Sequence, residues 1–159
     1  RDLPPVLQTR YGTVAVMLCY DLEFAELTRL AVVGGADLIV APVNWPLFPR
    51  PAGERPGEVI TAMSTARLNR VAIAACDRAG VERGQEWTGG TAIVDQNGWV
   101  VASVGPGVGM AVADVDLALT SGDASDAVRV ATAGTVLTDP IVAAMRRLAH
   151  QHVARRRLD

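Results

Sequence analysis

Apolar runs and helical patterns alternate over the first part of the chain. The run Thr13 to Leu18 is rich in β-forming residues and predicts a strand buried on both faces. From Glu23 the apolar residues recur at helical spacing as far as Gly34-Gly35, and a second apolar run, Asp37 to Ala41, is closed by Pro42. Strand, helix and strand within so short a span predict a βαβ unit with parallel strands.

The pattern then changes from parallel to antiparallel pairing. The predicted elements are a loop over 44–57, a helix over about 58–69, and strands over 71–76, 90–95, 99–103 and 110–115. The strands on either side of Gln96-Asn97-Gly98 should form a hairpin, because Asn-Gly favours a tight turn between strands. This order of elements predicts an α/β fold with two or four layers.

The C-terminal part of the chain has a weaker pattern. Residues 119–139 are small and polar with little periodicity, and Pro140 then begins a predicted helix that continues to Arg157. We therefore divide the chain into a main unit over 1–118 and a polar segment with a C-terminal helix over 119–159.

Composition and charge exclude several classes of protein. The chain has 159 residues, half of them hydrophobic, and a net charge of −2, whereas nucleic-acid binders usually carry a basic surplus. No apolar run is long enough to cross a bilayer, so we expect no membrane partner. The two cysteines and the absence of a signal peptide favour a reduced, cytoplasmic setting. All 15 basic residues are arginine, so this chain supplies no lysine to any mechanism.

Cys19 is the candidate nucleophile because it follows a buried strand and precedes a predicted helix. A tight turn there would expose its side chain at the strand end, as in the nucleophile elbow of hydrolases. The N-terminus of the helix would favour the thiolate, and the Tyr20 N–H would be placed to stabilise an oxyanion. The alternative is that Cys19 is a small buried strand residue. Cys76 also ends an apolar strand, but no helix start follows it, and we interpret it as structural.

The residues around Cys19 resemble the nitrilase (carbon–nitrogen hydrolase) superfamily. Residues 19–29, CYDLEFAELTR, are similar to its nucleophile segment C-x-D-x-x-F-P-E-x-x-R, with Ala25 in place of the proline. Three later segments resemble the family in the same order: 35–46, 66–70 (its A-x-E-N strand entry, with Leu68 in place of glutamate) and 87–98 (its F-x-G-x-S segment and hairpin). The resemblance covers roughly residues 12–116.

The resemblance implies a nitrilase-like α-β-β-α sandwich, present here as a partial domain that forms its C-terminal half. It implies hydrolysis of a small-molecule amide, carbamoyl compound or nitrile through a cysteine thioester, without cofactor or metal. Family enzymes use a Glu–Lys–Cys triad and commonly form homo-oligomers. Of the triad, only the cysteine is matched here, by Cys19. The resemblance also implies substrate-binding roles for Asn44 and Trp45, with loop packing as the alternative.

The glutamate and lysine of the triad lie upstream of the cysteine in the family. The 18 residues before Cys19 contain neither residue, and Arg10 is a poor substitute for a proton-transferring lysine. His150 and His152 could act as a base in a Cys–His pair, but they lie in the Arg-rich terminal helix. We therefore expect the isolated chain to be poorly stable and inactive. The competing hypothesis is a non-catalytic pseudoenzyme or interaction module of the same fold; a thiol-redox domain is disfavoured because no C-x-x-C pair exists.

Overall fold

The computed structural model describes residues 4–117 and the main chain of 128–134. The first elements are β1 (Val6–Thr9), β2 (Gly12–Val16), a 3-10 turn (Cys19–Glu23), α1 (Ala25–Val33), β3 (Leu38–Val43), α2 (Gly57–Asn69) and β4 (Ala72–Asp77). They are followed by β5 (Ala79–Glu82), β6 (Gln85–Thr88), β7 (Ala92–Val94), β8 (Val100–Ser103), β9 (Gly109–Val115) and β10 (Val128–Gly134).

Six strands form one sheet in the order β1-β2-β3-β4-β7-β8. The central strands β2, β3 and β4 are parallel, with Ala15 opposite Ile39 and Ile39 opposite Ile73. The outer strands β1, β7 and β8 run antiparallel to their neighbours. The predicted change from parallel to antiparallel pairing is confirmed, and the sheet matches the expected nitrilase-like α/β fold.

Both faces of this sheet are covered, because successive strand residues point to opposite sides. One face packs on the two helices; its buried residues include Ile39, Ala41, Val43, Ile73 and Ala75 from the sheet, with Ala31, Val59, Ala62 and Ala66 from α1 and α2. The opposite face packs on β9; its buried residues include Leu38, Ala72, Ala74 and Ile93, with Ala111 and Val115 from β9. The central strands are therefore apolar on both sides, which explains their continuous apolar runs.

The β7–β8 hairpin is held against α2 by its turn. Asp95 Oδ1 accepts hydrogen bonds from the main-chain N–H groups of Asn97 and Trp99, at 3.0 and 2.8 Å. Gly98 has a φ of +82°, and a Cβ there would lie 2.6 Å from the Met63 carbonyl oxygen on α2. Only glycine fits this turn, because it needs both a left-handed conformation and close contact with a helix backbone.

The strand β3 continues through Pro42, although the sequence predicted that this proline ends the strand. Pro42 lies opposite Cys76 in the parallel ladder with β4, and the strand ends one residue later at Val43. The ladder with β2 ends at Val40, so β3 lacks a strand partner on that side at Pro42. A residue without an N–H is tolerated where one side of a strand makes no ladder bond.

Three strand regions were missed by the sequence prediction. The strand β1 and the hairpin β5–β6 are short and largely exposed, so their apolar pattern is weak. Arg78, beside that hairpin, forms an ion pair with Glu82 and lies over the Trp87 ring. The third is β10, which lies within the segment predicted to be unpatterned and pairs antiparallel with β9.

The helix predicted from Pro140 to Arg157 lies outside the described residues, and the division of the chain at residue 118 stays a prediction. Within the part of the chain that the structure describes, no helix combines the length and apolarity needed to cross a membrane.

Candidate active site

The three parallel strands end at the same edge of the sheet. Residues that follow or end them are Cys19 beyond β2, Asn44 immediately after β3, and Asp77 as the last residue of β4. Because the carboxyl ends of neighbouring parallel strands lie side by side, these residues are brought together although 58 positions separate the first from the last. The candidate site is built at this edge.

Cys19 occupies a tight turn with an unusual backbone conformation. Its φ is +47°, in the left-handed region that non-glycine residues seldom adopt. The turn is closed by two hydrogen bonds between Leu18 and Asp21: the Asp21 N–H donates to the Leu18 carbonyl, and the Leu18 N–H donates to Asp21 Oδ2, both at 3.0 Å. The exposed turn predicted for the nucleophile is therefore present at Cys19.

The element that follows Cys19 differs from the prediction. The helical pattern of the sequence begins at Glu23, but α1 begins at Ala25, and a 3-10 turn separates it from the strand. The helix therefore begins two residues later than the pattern indicated, after the whole of the 3-10 turn. Asp21 instead caps the turn with its carboxylate. The Leu18 N–H precedes the hydrogen-bonded part of the 3-10 turn and needs an acceptor, which Asp21 Oδ2 supplies.

The Cys19 sulfur lies against the main chain of Asn44. The Asn44 N–H donates to Sγ at 3.4 Å, and the Asn44 carbonyl oxygen lies 3.8 Å from the same sulfur. An N–H aimed at sulfur stabilises negative charge on it. The thiol is partly exposed, so a small reagent can reach it. The Asn44 main chain thus holds the sulfur in a partly exposed position that suits a nucleophile.

Tyr20 follows the cysteine with its ring directed to the surface. The ring is 63% exposed and packs edge-on against Phe24, with 5.0 Å between ring centres. The first main-chain hydrogen bond of the 3-10 turn is donated by Asp21, so the N–H of Tyr20 precedes the bonded part of the turn. This is the kind of N–H that can bind an oxyanion, and the predicted role stays a prediction.

Asn44 and Trp45 occupy different environments. The Asn44 side chain is exposed, whereas Trp45 is only 2% exposed and belongs to the core. A Cβ on Gly90 would lie 3.1 Å from the Trp45 ring, so the absence of a side chain at Gly90 makes room for the indole. The structure brings the Asn44 main chain to Cys19 and the Trp45 indole into the core; substrate binding by either residue stays a prediction.

Asp77 is a buried carboxylate that the sequence reasoning missed. It is 0% exposed, and its oxygens accept main-chain hydrogen bonds from Trp45, Arg78 and Gly90 at 2.9, 2.8 and 2.7 Å. Burial raises the pKa of Asp77 from 3.8 to about 6, opposed by these three bonds, and the nearby charge of Glu58 raises it further. The signal in the sequence was an acidic residue directly after an apolar strand, at the same sheet edge as Cys19.

The remaining chemical candidates are Cys76, Arg10 and the two histidines. Cys76 is part of the regular strand β4, opposite Pro42. The Arg10 guanidinium lies over the Tyr11 ring, 4.5 Å from its centre. His150 and His152 are not among the described residues. Within 4–117, no group of three or more His, Cys, Asp or Glu side chains is arranged to hold a metal ion.

Comparison with known families identifies the chain. The model of the carbon-nitrogen hydrolase family matches residues 1–124, which is most of the sequence. The chain belongs to the carbon–nitrogen hydrolase family. The resemblance inferred from the residues around Cys19 is thereby confirmed, and so is the enzyme class of the family, which hydrolyses carbon–nitrogen bonds.

Curated members of the carbon–nitrogen hydrolase family that resemble this chain include amidases. The 2-oxoglutaramate amidase of Bacillus subtilis is 30% identical over 101 residues, which are 64% of this chain and 37% of the relative. The deaminated glutathione amidase of Rattus norvegicus is 30% identical over 115 residues, which are 72% of this chain and 34% of the relative. The chain thus spans about a third of the length of these relatives.

A solved structure supports the fold. The amidase from Nesterenkonia sp. AN1 superposes with a TM-score of 0.57 at 28% identity, over 66% of this chain and 39% of the amidase. One structure of that enzyme shows acrylamide added to its active-site cysteine. A variant with bound butyramide superposes over 84% of this chain with a TM-score of 0.59, but at 22% identity this match shows the fold alone.

Proposed function

We propose that this chain provides the nucleophile of an amide hydrolase, and that Cys19 forms an acyl-thioester with a small-molecule amide or carbamoyl substrate. The observation that carries the proposal is the Cys19 turn, where a φ of +47° and the Asn44 N–H at 3.4 Å present a sulfur suited to nucleophilic attack. The amidases among the relatives support the reaction class, and the acrylamide adduct of the Nesterenkonia amidase supports a cysteine nucleophile.

The proposed reaction has two steps. The Cys19 thiolate attacks the carbonyl carbon, a C–S bond forms, and the negative charge moves to the carbonyl oxygen, where the Tyr20 N–H stabilises it. The C–N bond then breaks, and ammonia or an amine leaves with the proton that the Cys19 thiol released when the thiolate formed. Water attacks the resulting thioester, the C–S bond breaks, and the carboxylic acid leaves while the thiol is restored. Asn44 and Trp45 are proposed to flank the acyl group.

The proposed reaction also needs a base and a cation for which the 18 residues before Cys19 offer no glutamate and no lysine. In the family these are a glutamate and a lysine upstream of the cysteine, and no residue of this sequence is a lysine. We therefore propose that the active form includes a further N-terminal segment with both residues, that it is a cytoplasmic homo-oligomer, and that the 159-residue chain alone is inactive. Measurable amide hydrolysis by the purified chain alone would contradict this part of the proposal.

The test uses the protein completed with the coding sequence upstream of Arg1. Its turnover is measured on a panel of simple amides, N-carbamoyl amino acids and nitriles, with Cys19→Ser as the loss variant and Cys76→Ser as the matched control. We expect hydrolysis of at least one amide or carbamoyl substrate, loss of turnover in Cys19→Ser, and turnover within about twofold of the parent in Cys76→Ser. Undiminished turnover in Cys19→Ser would refute the assignment.

The upstream sequence separates this proposal from a pseudoenzyme. An in-frame extension with an early glutamate and a later lysine before Cys19 favours the enzyme. A start codon near Arg1 favours a non-catalytic interaction module of the same fold, and such a protein should show no turnover with any substrate of the panel.

A further inference from the structure

Asp77 joins three segments of the chain that meet at the edge of the sheet beside Cys19. Its Oδ1 accepts the N–H of Trp45, which follows β3, and the N–H of Arg78, which follows β4; its Oδ2 accepts the N–H of Gly90, just before β7. All three donors are main-chain groups. The carboxylate therefore fixes the backbone at the ends of two parallel strands and at the entry to a third strand.

The bond from Trp45 connects Asp77 to the nucleophile through a single peptide group. The Trp45 N–H belongs to the same planar peptide as the Asn44 carbonyl, whose oxygen lies 3.8 Å from Cys19 Sγ. Because the peptide is planar, fixing its N–H also fixes its carbonyl oxygen. The Asn44 N–H, which donates to the same sulfur at 3.4 Å, belongs to the preceding peptide, so Asn44 contacts the sulfur through both of its main-chain polar groups.

We propose that Asp77 is a positioning residue: its carboxylate anchors the Trp45 N–H and so holds the Asn44 main chain against the Cys19 sulfur. The inference rests on the proposed function in one respect, which is that Cys19 is the reacting group. Asp77 is 0% exposed, so it acts on the sulfur through the Asn44–Trp45 peptide and not on a substrate.

The surroundings of Asp77 favour an acceptor role over proton transfer. The facing groups are three main-chain N–H donors, the Thr91 hydroxyl bonded to the Asp77 main chain, and Glu58 of α2. The Arg78 guanidinium is directed to Glu82 and the Trp87 ring. An asparagine can keep the acceptor for Trp45 and Arg78 with its carbonyl oxygen, although its NH2 group takes the place of the oxygen that accepts the Gly90 N–H. An alanine keeps no acceptor for any of the three donors.

The test compares Asp77→Ala with Asp77→Asn in the completed enzyme, with Thr91→Val as the matched control. Thr91 is equally buried and bonds the main chain of Asp77 without touching the carboxylate–Trp45 link. We expect Asp77→Ala to lower kcat at least tenfold with KM within threefold, Asp77→Asn to stay within about threefold of the parent, and Thr91→Val to lower the unfolding midpoint while kcat stays within twofold.

Amide hydrogen exchange reports the position of the peptide independently of turnover. In Asp77→Ala, exchange at Asn44 and Trp45 should accelerate at least tenfold relative to the amides of β4; in Asp77→Asn it should not. A tenfold loss of kcat in folded Asp77→Asn would overturn the proposal, and this result is obtainable even where Asp77→Ala does not fold. Unchanged exchange at Asn44 and Trp45 in folded Asp77→Ala would also overturn it. Retained turnover in Cys19→Ser would refute the assignment of Cys19 as the nucleophile. It would not refute the anchoring of the Asn44–Trp45 peptide by Asp77, because hydrogen exchange measures that anchoring without any reaction.

Discussion

The two cysteines of this chain both lie near the carboxyl ends of buried parallel strands, yet their surroundings differ. Cys19 lies three residues beyond β2 in a left-handed turn, with an N–H from Asn44 directed at its sulfur. Cys76 lies inside β4, in regular register with Pro42, and the residue after it is the buried Asp77. Both thiols are partly exposed, so exposure does not distinguish them.

The difference shows that a strand end becomes a candidate site only when the backbone leaves the ladder. At Cys19 the turn frees the side chain from the alternation of the strand and brings it to the Asn44 main chain. At Cys76 the ladder continues for one more residue, and the polar group at the strand end, Asp77, is enclosed. One strand end thus offers a reactive group, and the other provides the anchor that holds the loop beside it.

The largest expected effect is a difference in alkylation rate between the two thiols. We expect iodoacetamide to modify Cys19 at least about tenfold faster than Cys76, because Cys19 lies in a turn outside the strand ladder whereas Cys76 lies within the paired strand β4. Trypsin should place the two cysteines on separate peptides, 11–29 and 71–78, so mass spectrometry can follow each one. Equal rates in the folded protein would remove the distinction between the two strand ends.

The next effect concerns the tryptophan that lies between the two strand ends. Trp45→Ala should lower the free energy of unfolding by about 3–5 kcal/mol, since it empties a core position that is 2% exposed. Trp45→Phe is the control: it keeps an aromatic ring and removes an indole N–H that has no hydrogen-bond partner among the described residues. Urea denaturation of both variants measures the difference, and an equal loss in both would mean that ring burial is not the cause.

The pH dependence of the free energy of unfolding should show that burial destabilises the charged form of Asp77. Its folded-state pKa of about 6 lies above the ordinary value of 3.8, so the folded chain binds more protons between these values. The contribution of Asp77 to the free energy of unfolding therefore falls as pH rises from about 4 to about 6, by roughly 3 kcal/mol. Asp77→Asn should lack this component. Urea denaturation at pH 4.5 and 7 tests it, and identical pH profiles of variant and parent would contradict it.

The smallest effect is expected at the cap of the Cys19 turn. Asp21→Ala removes the acceptor of the Leu18 N–H and should lower the free energy of unfolding by about 1 kcal/mol, together with a slower alkylation of Cys19. Glu23→Ala, at the exposed end of the same turn, is the control and should change neither quantity measurably. If the two variants behave alike, the Asp21 cap does not maintain the turn.

Much of the fold followed from the apolar pattern, because strands buried on both faces give long apolar runs. The parallel core was predicted in this way, and the hairpin was predicted from its Asn97-Gly98 turn. The edge strand β1 and the hairpin β5–β6 were missed because exposed strands carry little pattern. The end of β3 was predicted one residue before Pro42, two residues too early. Whether a proline ends a strand depends on whether a neighbouring strand is paired on the side that its missing N–H would face.

The candidate site was predictable only in part. Cys19 could be found because its motif is local, and the family resemblance rested on the residues around it. The contact with Asn44 and the enclosure of Asp77 depend on which strands are neighbours in the sheet, and this is a property of the topology. The start of α1 was placed too early because the side chain of Asp21 can cap either a helix or a 3-10 turn.

The most direct test of the nucleophile is to capture the acyl-enzyme. The completed enzyme is mixed with an amide substrate, quenched in acid during turnover, digested with trypsin and analysed by mass spectrometry. We expect the mass of the acyl group to appear on peptide 11–29, which contains Cys19, and to be absent in Cys19→Ser. Acylation of peptide 71–78, which contains Cys76, would contradict it.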